Sequence, residues 1–350
     1  MAKSFKMLDN EFWWGGTVVD ACNMPYSKDT DTVIDLKMGH RTQSAPLMIS
    51  NKGRYLWADN ETIITIKDGV ITYECDDVDL FEGGKTLKDA YVNAQKNHFP
   101  NEEGKTLPEM FFKKAQYNTW IELMYNQNQK DVLEYAESIV KNGYEPGILI
   151  IDEGWQKRYG LWEFDELKFP DPKAMIERLH KMGFIVMLWI VPLIVADGPE
   201  FRSLWNDKKE GNVALLRDPE TDYPAIVNWW NGFSAIFNFC QEKDREFLKA
   251  QLDRLVEEYD IDGFKFDGGS YTMYKKAING TNYLKEYSAE QLNSAWLEFG
   301  AQYEFHEFKD TWKFGGRHTI QRLYDKDPVW DKNGIKALIP HSAFVGLLGH

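Results

Sequence analysis

The sequence predicts an α/β fold, a TIM-type (β/α)8 barrel preceded by an N-terminal β-domain. The first observation is that, beyond residue 117, short apolar segments alternate with segments of helical periodicity, as in a parallel sheet with crossover helices. The second is the run GILIID over 147–152, which is apolar without alternation, as in a strand buried on both faces. The third is that predicted strands end in carboxylates, where a barrel places its functional residues.

The N-terminal region, up to about residue 85, has the pattern of β structure. An alternation of apolar and polar residues over 62–73 is broken by Asp68 and Gly69, which is a strong signal for a two-residue hairpin turn. Two further strands are predicted at 45–50 and 54–57, a helix at 86–97 and a connecting loop at 99–117. We therefore predict an N-terminal β-domain with its connector over 1–110 and a barrel domain over 111–350.

The barrel region has the pattern of six strands. They are predicted at 119–125, 147–152, 184–191, 261–267, 311–317 and 320–324. Helices are predicted between and after them, beginning near 132, 171, 244, 288 and 333. A long aromatic-rich segment, 193–243, precedes the helix that leads to Asp267. Because a closed barrel needs eight strands, six strands predict a barrel that is incomplete at its C-terminal side.

Composition narrows the class of protein. The formal net charge of −14 disfavours nucleic acid or an anionic membrane surface as a partner. No apolar run is long enough to span a membrane, and the N-terminus lacks the apolar core of a signal peptide, so we expect a cytoplasmic protein. The three cysteines and seven histidines show no metal-ligand spacing, so neither a metal nor a cofactor is expected. The 13 Trp and 17 Tyr suit stacking on sugar rings, although composition alone favours a large aromatic core.

Three predicted strands end in carboxylate residues. The second ends in Asp152 and Glu153, the fourth in Asp267 and the sixth in Asp325. In a barrel such strand ends converge on one mouth. Two carboxylates facing each other across a cleft are the catalytic groups of a glycosidase, one as nucleophile and one as acid/base. Carboxylates at strand ends also occur in structural roles, so the spacing alone leaves both interpretations open.

A set of seven motifs in a fixed order links the chain to a known family. They are YNTWIE at 117–122, IDEGW at 151–155, FPDP at 169–172, LWIVP at 188–192, WWNG at 229–232, IDGFKFD at 261–267, and Arg317 eight residues before Asp325. With these motifs the chain resembles glycoside hydrolase family 31 over about 110–350, and the β-domain resembles that family's N-terminal domain. The resemblance implies a retaining α-glycosidase that acts on terminal α-linked sugars.

The resemblance also implies roles for individual residues. Asp267 matches the nucleophile and Asp325 matches the acid/base, with Asp327 as the rival for the second role. Asp152 matches a carboxylate that hydrogen-bonds sugar hydroxyls. Arg317 would reach the sugar or hold the nucleophile ionised. In double displacement the pKa of Asp325 must be raised while Asp267 stays ionised.

Other residues near these motifs receive weaker assignments. Trp155, Trp189 and Trp230 would wall the sugar pocket or, alternatively, belong to the core. Lys265 would bind substrate and, with Arg317, help separate the two carboxyl pKa values. Asp262, at the entrance to its strand, is interpreted as structural. Glu153 is ambiguous, because strand alternation would turn it away from the side that Asp152 faces, and Gly268 and Gly269 would leave room for a ligand to approach the backbone.

The predicted function is an exo-acting α-glycosidase with an oligosaccharide or glycoside as substrate. Lys265 two residues before Asp267, together with DKDPVW at 325–330, is similar to the family branch that contains α-galactosidases and the myogenesis-regulating glycosidase. An α-galactoside is therefore the preferred substrate, ahead of an α-glucoside or α-xyloside. The alternatives are a non-catalytic sugar-binding protein or scaffold and a transglycosylase that uses the same carboxylates. The sequence does not indicate an oligomeric state.

Overall fold

The computed structural model describes residues 2–37, 42–206, 215–275 and 283–350. The chain forms two compact units. The first unit comprises Met1–Lys105, Ser270–Thr272 and Lys309–His350, and the second comprises Thr106–Gly269 and Met273–Phe308. None of the helices in the described part of the chain combines the length and the apolar character needed to cross a membrane.

The first unit begins with antiparallel strands, as the sequence predicts. Its strands are β1 (Lys3–Lys6), β2 (Trp13–Thr17), β3 (Thr32–Asp35), β4 (Ser44–Ser50), β5 (Tyr55–Ala58), β6 (Ile63–Lys67), β7 (Val70–Tyr73) and β8 (Val78–Phe81). Within the described residues they form two sheets, ordered β1-β7-β6-β3 and β2-β4-β5-β8. The helix α1 (Leu87–His98) follows, where Thr86 and Asp89 form a capping box that satisfies free N–H groups at its start.

The predicted hairpin of the first unit is confirmed. Lys67 pairs with Val70 across the turn, and the two turn residues Asp68 and Gly69 have φ angles of 51° and 70°. A two-residue turn of this type requires positive φ at both central positions, which Gly tolerates freely and Asp tolerates better than most residues. The turn fixes the register, so that Ile64, Ile66, Ile71 and Tyr73 are buried on one face.

The second unit contains the remaining strands and most of the helices. In chain order these are α2 (Met110–Lys113), β9 (Gln116–Asn118), α3 (Trp120–Leu123), α4 (Gln129–Lys141), β10 (Ile148–Ile151), β11 (Gln156–Arg158), β12 (Leu161–Phe164), α5 (Pro172–Lys181), β13 (Ile185–Ile190), β14 (Leu193–Val195), α6 (Pro199–Asn206), β15 (Ile226–Trp229), β16 (Gly232–Ile236), α7 (Glu242–Tyr259), β17 (Gly263–Phe266), α8 (Ala289–Gly300) and β18 (Phe305–Phe308). Short 3-10 turns lie at Met124–Asn126, Met273–Lys275 and Tyr283–Lys285.

The centre of the second unit is a curled parallel sheet, which in the described residues corresponds to half of a barrel. Its order is β18-β17-β13-β10-β9, and all of these neighbours are parallel. Apolar side chains fill the lower part of one face. They are Ile148, Ile150 and Met187, with Met110, Phe111, Ile185 and Phe305 packed against them. The C-terminal ends of the strands therefore stand above an apolar base.

The three central strands β10, β13 and β17 agree with the predicted positions, whereas the outer strands do not. The first strand is Gln116–Asn118, and the predicted strand at 119–125 is wrong because that segment is helical. The cause is local: the Asn118 side chain accepts a hydrogen bond from the backbone N–H of Trp120 and so starts a turn.

The predicted strands at 311–317 and 320–324 are also wrong. The helix α8 ends at Gly300, and after a short turn the next strand, β18, follows at Phe305–Phe308. In the described residues beyond β18 the chain forms no strand, and Trp312 makes an isolated bridge to Ser44 within the first unit. Apolar residues such as Trp312 and Phe314 are buried there without a strand ladder. Burial without a strand requires the same apolar residues as a strand does, so this segment was mistaken for strands.

The last segment of the chain ends in α9 (Leu338–Leu347), preceded by a 3-10 turn at Ile335–Ala337. Phe344, Val345 and Leu348 join an apolar cluster with residues of β4, β5 and α1. Residues 309–350, predicted as part of the barrel domain, therefore group with the N-terminal strands instead. Helix α9 packs on the β-domain, because its apolar residues complete the core between α1 and the strands β4 and β5.

Candidate active site

Asp267 lies immediately after β17, at the C-terminal end of the parallel sheet. Its backbone N–H donates to the carbonyl of Ile190, which continues the ladder and fixes the position of the carboxylate. One carboxylate oxygen accepts from the backbone N–H of Gly268 at 2.8 Å, and the other accepts from Nε1 of Trp189 at 2.9 Å. Both donors favour the ionised carboxylate, and the side chain is buried.

The two glycines after Asp267 serve the backbone and its packing. Gly268 and Gly269 have φ angles of 62° and 58°, a region that most other residues avoid. A Cβ atom at Gly269 would lie 2.3 Å from Cδ1 of Trp296. The structure therefore explains both glycines by their backbone conformation, and Gly269 also by its packing against Trp296, instead of by room for a ligand.

Asp152 and Lys265 form a buried ion pair beside Asp267. The Nζ of Lys265 lies 2.6 Å from Oδ2 of Asp152, and both side chains are 4% exposed. Asn118 donates to the same oxygen at 2.5 Å, and the backbone N–H of Asp152 donates to Thr119. The sequence predicts these two residues as separate substrate ligands, whereas the structure joins them, because β10 and β17 flank β13 in a register that brings them to one level.

Removing the cation of this pair should strongly destabilise the fold. Lys265→Met would leave the Asp152 carboxylate buried with only neutral donors, a change that costs about 3–5 kcal/mol for typical buried pairs. We expect a corresponding loss in the free energy of unfolding, measured by urea denaturation at pH 7. The matched control is Lys249→Met, which breaks the exposed helical pair with Asp253 and should cost less than about 1 kcal/mol. Equal losses in both variants would contradict the prediction.

The three predicted tryptophans occupy different environments. Trp155 is fully buried, and its Nε1 donates to the carbonyl of Trp189 at 2.8 Å. Trp189 is buried as well and holds Asp267 through its Nε1. Trp230 is 50% exposed, in the two-residue turn between β15 and β16. Trp155 and Trp189 therefore support the site from behind, while Trp230 presents an accessible aromatic surface.

Glu153 belongs to this cluster, although strand alternation predicted that it would face away from it. The strand β10 ends at Ile151, so alternation no longer applies at the turn that contains Glu153. Its carboxylate accepts from the hydroxyl of Tyr159 at 3.0 Å, from Nε1 of Trp230 at 2.9 Å, and from the amide of Asn231. Burial raises the pKa of Glu153 to about 7 against the effect of these donors, and the charges of Asp267 and Asp152 add to the rise.

Asp262 occupies the other end of β17 and has a structural role, in agreement with the sequence interpretation. Its carboxylate accepts from the backbone N–H of Val186 at 2.7 Å and lies 2.9 Å from Nε2 of His180. These contacts join the start of β13 to the end of α5 and the entrance of β17.

Asp325 and Arg317 belong to the first unit. Asp325 lies in an exposed segment without strand structure and pairs with Lys309 at 3.1 Å and Arg322 at 2.7 Å. Partial burial acts to raise the pKa of the Asp325 carboxyl, but the charges of Lys309 and Arg322 outweigh it and leave the pKa below its ordinary value. The acid/base role that the resemblance implies for Asp325 requires a raised pKa instead. The guanidinium of Arg317 lies 5.5 Å from the Phe314 ring centroid.

Of the predicted site residues, the structure brings six together in the second unit. They are Asp152, Trp155, Trp189, Trp230, Lys265 and Asp267. The sequence reasoning missed Asn118 and Tyr159, which contact Asp152 and Trp189, and Asn231, which donates to Glu153, and it left Glu153 unassigned. Asn118 and Asn231 lie within the quoted motifs, so polar residues beside a strand end were the available signal.

Residues 105–311, more than half of the chain, match the glycosyl hydrolases family 31 TIM-barrel domain. The chain belongs to glycosyl hydrolase family 31. This family 31 chain is 29% identical over 241 residues to the myogenesis-regulating glycosidase of Mus musculus, which covers 68% of this chain and 33% of that protein. It is 26% identical over 224 residues to an α-galactosidase of Escherichia coli, covering 61% of this chain and 28% of that enzyme.

Solved structures show the same fold for this family 31 chain. A cycloalternan-degrading enzyme from Trueperella pyogenes, in complex with isomaltose, superposes with a TM-score of 0.74 at 18% identity, over 99% of this chain and 56% of that one. A family 31 dextranase from Flavobacterium johnsoniae, complexed with glucose, gives 0.73 at 14% identity, over 99% and 45% of the two chains. The chain thus spans about a third of the length of the two curated relatives and about half of these structures.

Proposed function

We propose that this family 31 chain supplies the catalytic carboxylates of a retaining, exo-acting α-glycosidase that hydrolyses terminal α-linked sugars. The observation that carries the proposal is Asp267, a buried carboxylate at the C-terminal end of a barrel strand, held by the N–H groups of Trp189 and Gly268. Those donors favour the ionised form, which a nucleophile requires. The position also matches the nucleophile motif of the family.

The proposed reaction is a double displacement. Asp267 attacks the anomeric carbon, the glycosidic bond breaks, and Asp325 delivers its proton to the leaving oxygen. Asp325, then ionised, takes a proton from water, which attacks the anomeric carbon and breaks its bond to Asp267. The sugar is released with the α configuration retained, because the anomeric carbon is inverted twice.

The acid role proposed for Asp325 places a requirement on its surroundings. In the structure its carboxylate pairs with Lys309 and Arg322, and its pKa lies below the ordinary value, since these two charges outweigh the effect of burial. An ionised group cannot donate a proton. The proposal therefore requires that substrate binding weaken these two pairs. Asp327, two residues further on, is the rival donor, and the variants described below distinguish them.

Among possible sugars, an α-galactoside is the substrate we propose first. Support comes from Lys265 two residues before Asp267 and from the similarity to an α-galactosidase of Escherichia coli. Other relatives point to the competing sugars, because they include an α-xylosidase of Lactiplantibacillus pentosus and a 1,3-α-isomaltosidase of Kribbella flavida. Galactose differs from glucose in the orientation of one hydroxyl, and xylose lacks the hydroxymethyl group of glucose; hydrogen-bonding groups in a pocket discriminate such differences.

A panel of 4-nitrophenyl α-galactoside, α-glucoside and α-xyloside tests the proposal, with 4-nitrophenyl β-galactoside as a control. We expect kcat/KM for the α-galactoside to exceed the others by at least about tenfold, and no release from the β-anomer. Proton NMR of the first-formed sugar should show the α-anomer. The Asp267→Asn variant, which lacks the proposed nucleophile, gives the background rate of nitrophenol release. Nitrophenol release no faster than in this variant would support a non-catalytic sugar-binding protein instead.

A further inference from the structure

Glu153 connects three separate segments of the second unit. Its buried carboxylate, 3% exposed, follows β10 and accepts hydrogen bonds from Tyr159, in the turn between β11 and β12, and from the turn between β15 and β16. That second turn consists of Trp230 and Asn231, and both of its side chains donate to Glu153. Both side chains of this turn, which the pairing of β15 with β16 closes, therefore converge on one internal carboxylate.

The contacts of Glu153 suit its ionised form. An indole N–H and an amide NH₂ can only donate hydrogen bonds, and a carboxylate can accept all of them. Protonation would place an O–H on one oxygen, remove one acceptor lone pair and remove the charge that strengthens these hydrogen bonds, and Tyr159 would have to rotate its hydroxyl to accept from that O–H. The ionised form therefore accepts all three groups as they stand, whereas protonation weakens and rearranges the cluster.

Trp230 is the member of the turn that a ligand can reach. Its ring is half exposed and packs edge-to-face on Trp229, with the ring centroids 4.7 Å apart, while its N–H is fixed by Glu153. A tryptophan held by its polar edge presents its apolar face in one orientation, which suits contact with the apolar face of a sugar ring. Trp189, which holds Asp267, is connected to this group through Tyr159, whose ring centroid lies 6.2 Å from its own.

We propose that Glu153 is a positioning residue whose ionised carboxylate holds the Trp230–Asn231 turn in the arrangement that binds sugar, and whose protonation releases that turn. This inference rests on the proposed function for its effect on substrate, but the link between Glu153 and Trp230 can be measured without substrate. Glu153 itself is buried behind the turn and acts through Trp230.

The charged and titratable groups around Glu153 determine the pH at which release would occur. Asp152 on the same segment and Asp267 on β17 oppose its ionisation, as burial does, whereas Trp230 and Tyr159 favour it. Tyr125, in the 3-10 turn after α3, also faces Glu153. Two cations lie nearby: Lys265 pairs with Asp152, and Lys168 donates to the carbonyl of Gly154. With the Glu153 pKa at about 7, the turn is held above neutral pH and released below it.

The first experiment uses tryptophan fluorescence of the full chain without sugar. The pH titration of the wild type minus that of Trp230→Phe reports Trp230, and we expect a transition with a midpoint near pH 7. Glu153→Gln should abolish that transition, whereas Glu166→Gln, a change at an exposed carboxylate paired with Lys157, should keep it. If Glu153→Gln fails to fold, Tyr159→Phe replaces it: loss of a donor to the ionised form should move the midpoint to higher pH.

The second experiment measures kcat and KM across pH 5.5–8.5 on the best substrate of the panel. In the wild type, KM should rise about tenfold as pH falls through 7, the cost of one lost charge-assisted hydrogen bond. In Glu153→Gln, KM should be high and independent of pH, with kcat changed less than about threefold, because no group that contacts the reacting atoms is altered.

The outcomes separate this inference from the proposed function. A fluorescence transition that survives in Glu153→Gln, or a midpoint that does not move in Tyr159→Phe, overturns the inference. A fall in kcat with KM unchanged overturns it too, since it would assign Glu153 to the chemistry. If the wild type hydrolyses no substrate of the panel while the transition depends on Glu153, the proposed function is wrong and the control of Trp230 by Glu153 stands.

Discussion

Replacing Asp267 by Asn is expected to lower kcat for every α-glycoside substrate by on the order of 10⁴–10⁶-fold. The amide keeps the shape of the carboxylate and still accepts a hydrogen bond, but it carries no charge with which to attack the anomeric carbon. A better leaving group should not restore the first step, because the missing group is the nucleophile. The measurement is the rate of release from 4-nitrophenyl glycosides and from the corresponding glycosyl fluoride.

The matched control for this variant is Asp262→Asn, at the opposite end of the same strand. Asp262 binds the backbone of Val186 and pairs with His180, so its loss should lower the free energy of unfolding and leave kcat within a few fold. Circular dichroism of both variants establishes that they are folded. Activity of Asp267→Asn above about 1% of wild type on any substrate would contradict the nucleophile assignment.

Replacing Asp325 by Asn is expected to reduce hydrolysis of alkyl glycosides on the order of 10²–10⁴-fold, the usual contribution of a general acid. For a glycosyl fluoride the loss of the first step should be small, because fluoride leaves with little protonation. The trapped glycosyl-enzyme should then accumulate, since no base activates water. Added azide should speed its release, because a small anion needs no base. The measurement is turnover of the fluoride with and without azide.

Asp327→Asn is the control that distinguishes the two neighbouring carboxylates. Asp327 is exposed, and its backbone N–H donates to the carbonyl of Asn333. We therefore expect its replacement to leave the hydrolysis rates of alkyl glycosides and of the glycosyl fluoride unchanged. If Asp327→Asn shows the leaving-group dependence and Asp325→Asn does not, the acid/base is Asp327. If azide restores turnover to Asp267→Asn and not to Asp325→Asn, the roles of nucleophile and acid/base are exchanged.

The central strands of the parallel sheet could be predicted from sequence because their residues, apart from Lys265 of β17, are apolar or glycine on both faces. The outer strands could not. The strand β18 reads FHEF, and its His306 and Glu307 are buried polar residues that interrupt the apolar pattern of a strand. The strand β9 has only three residues, all at least partly exposed, and lies at the edge of the sheet. Both strands depend on tertiary pairing more than on local pattern.

The candidate site was predictable where a single residue follows a strand, as Asp152 and Asp267 do. The partners of these residues were not, because they depend on register across strands. Lys265 on β17 reaches Asp152, at the end of β10, because only the single strand β13 separates β10 from β17. Glu153 joins the cluster because β10 ends before it, at Ile151. The ionic environment of Asp325 likewise comes from Lys309 and Arg322, outside the DKDPVW motif that identified it.

The buried pair of Lys265 and Asp152 also limits how this site can evolve or be redesigned. The two positions are 113 residues apart in the chain, yet a change at either one alone leaves an uncompensated charge beside Asp267. Random mutagenesis that alters one codon at a time would discard most such variants for instability, whatever sugar they bound. Libraries intended to alter the sugar preference should therefore vary both codons together, and homologous enzymes should be compared by the combination at these positions.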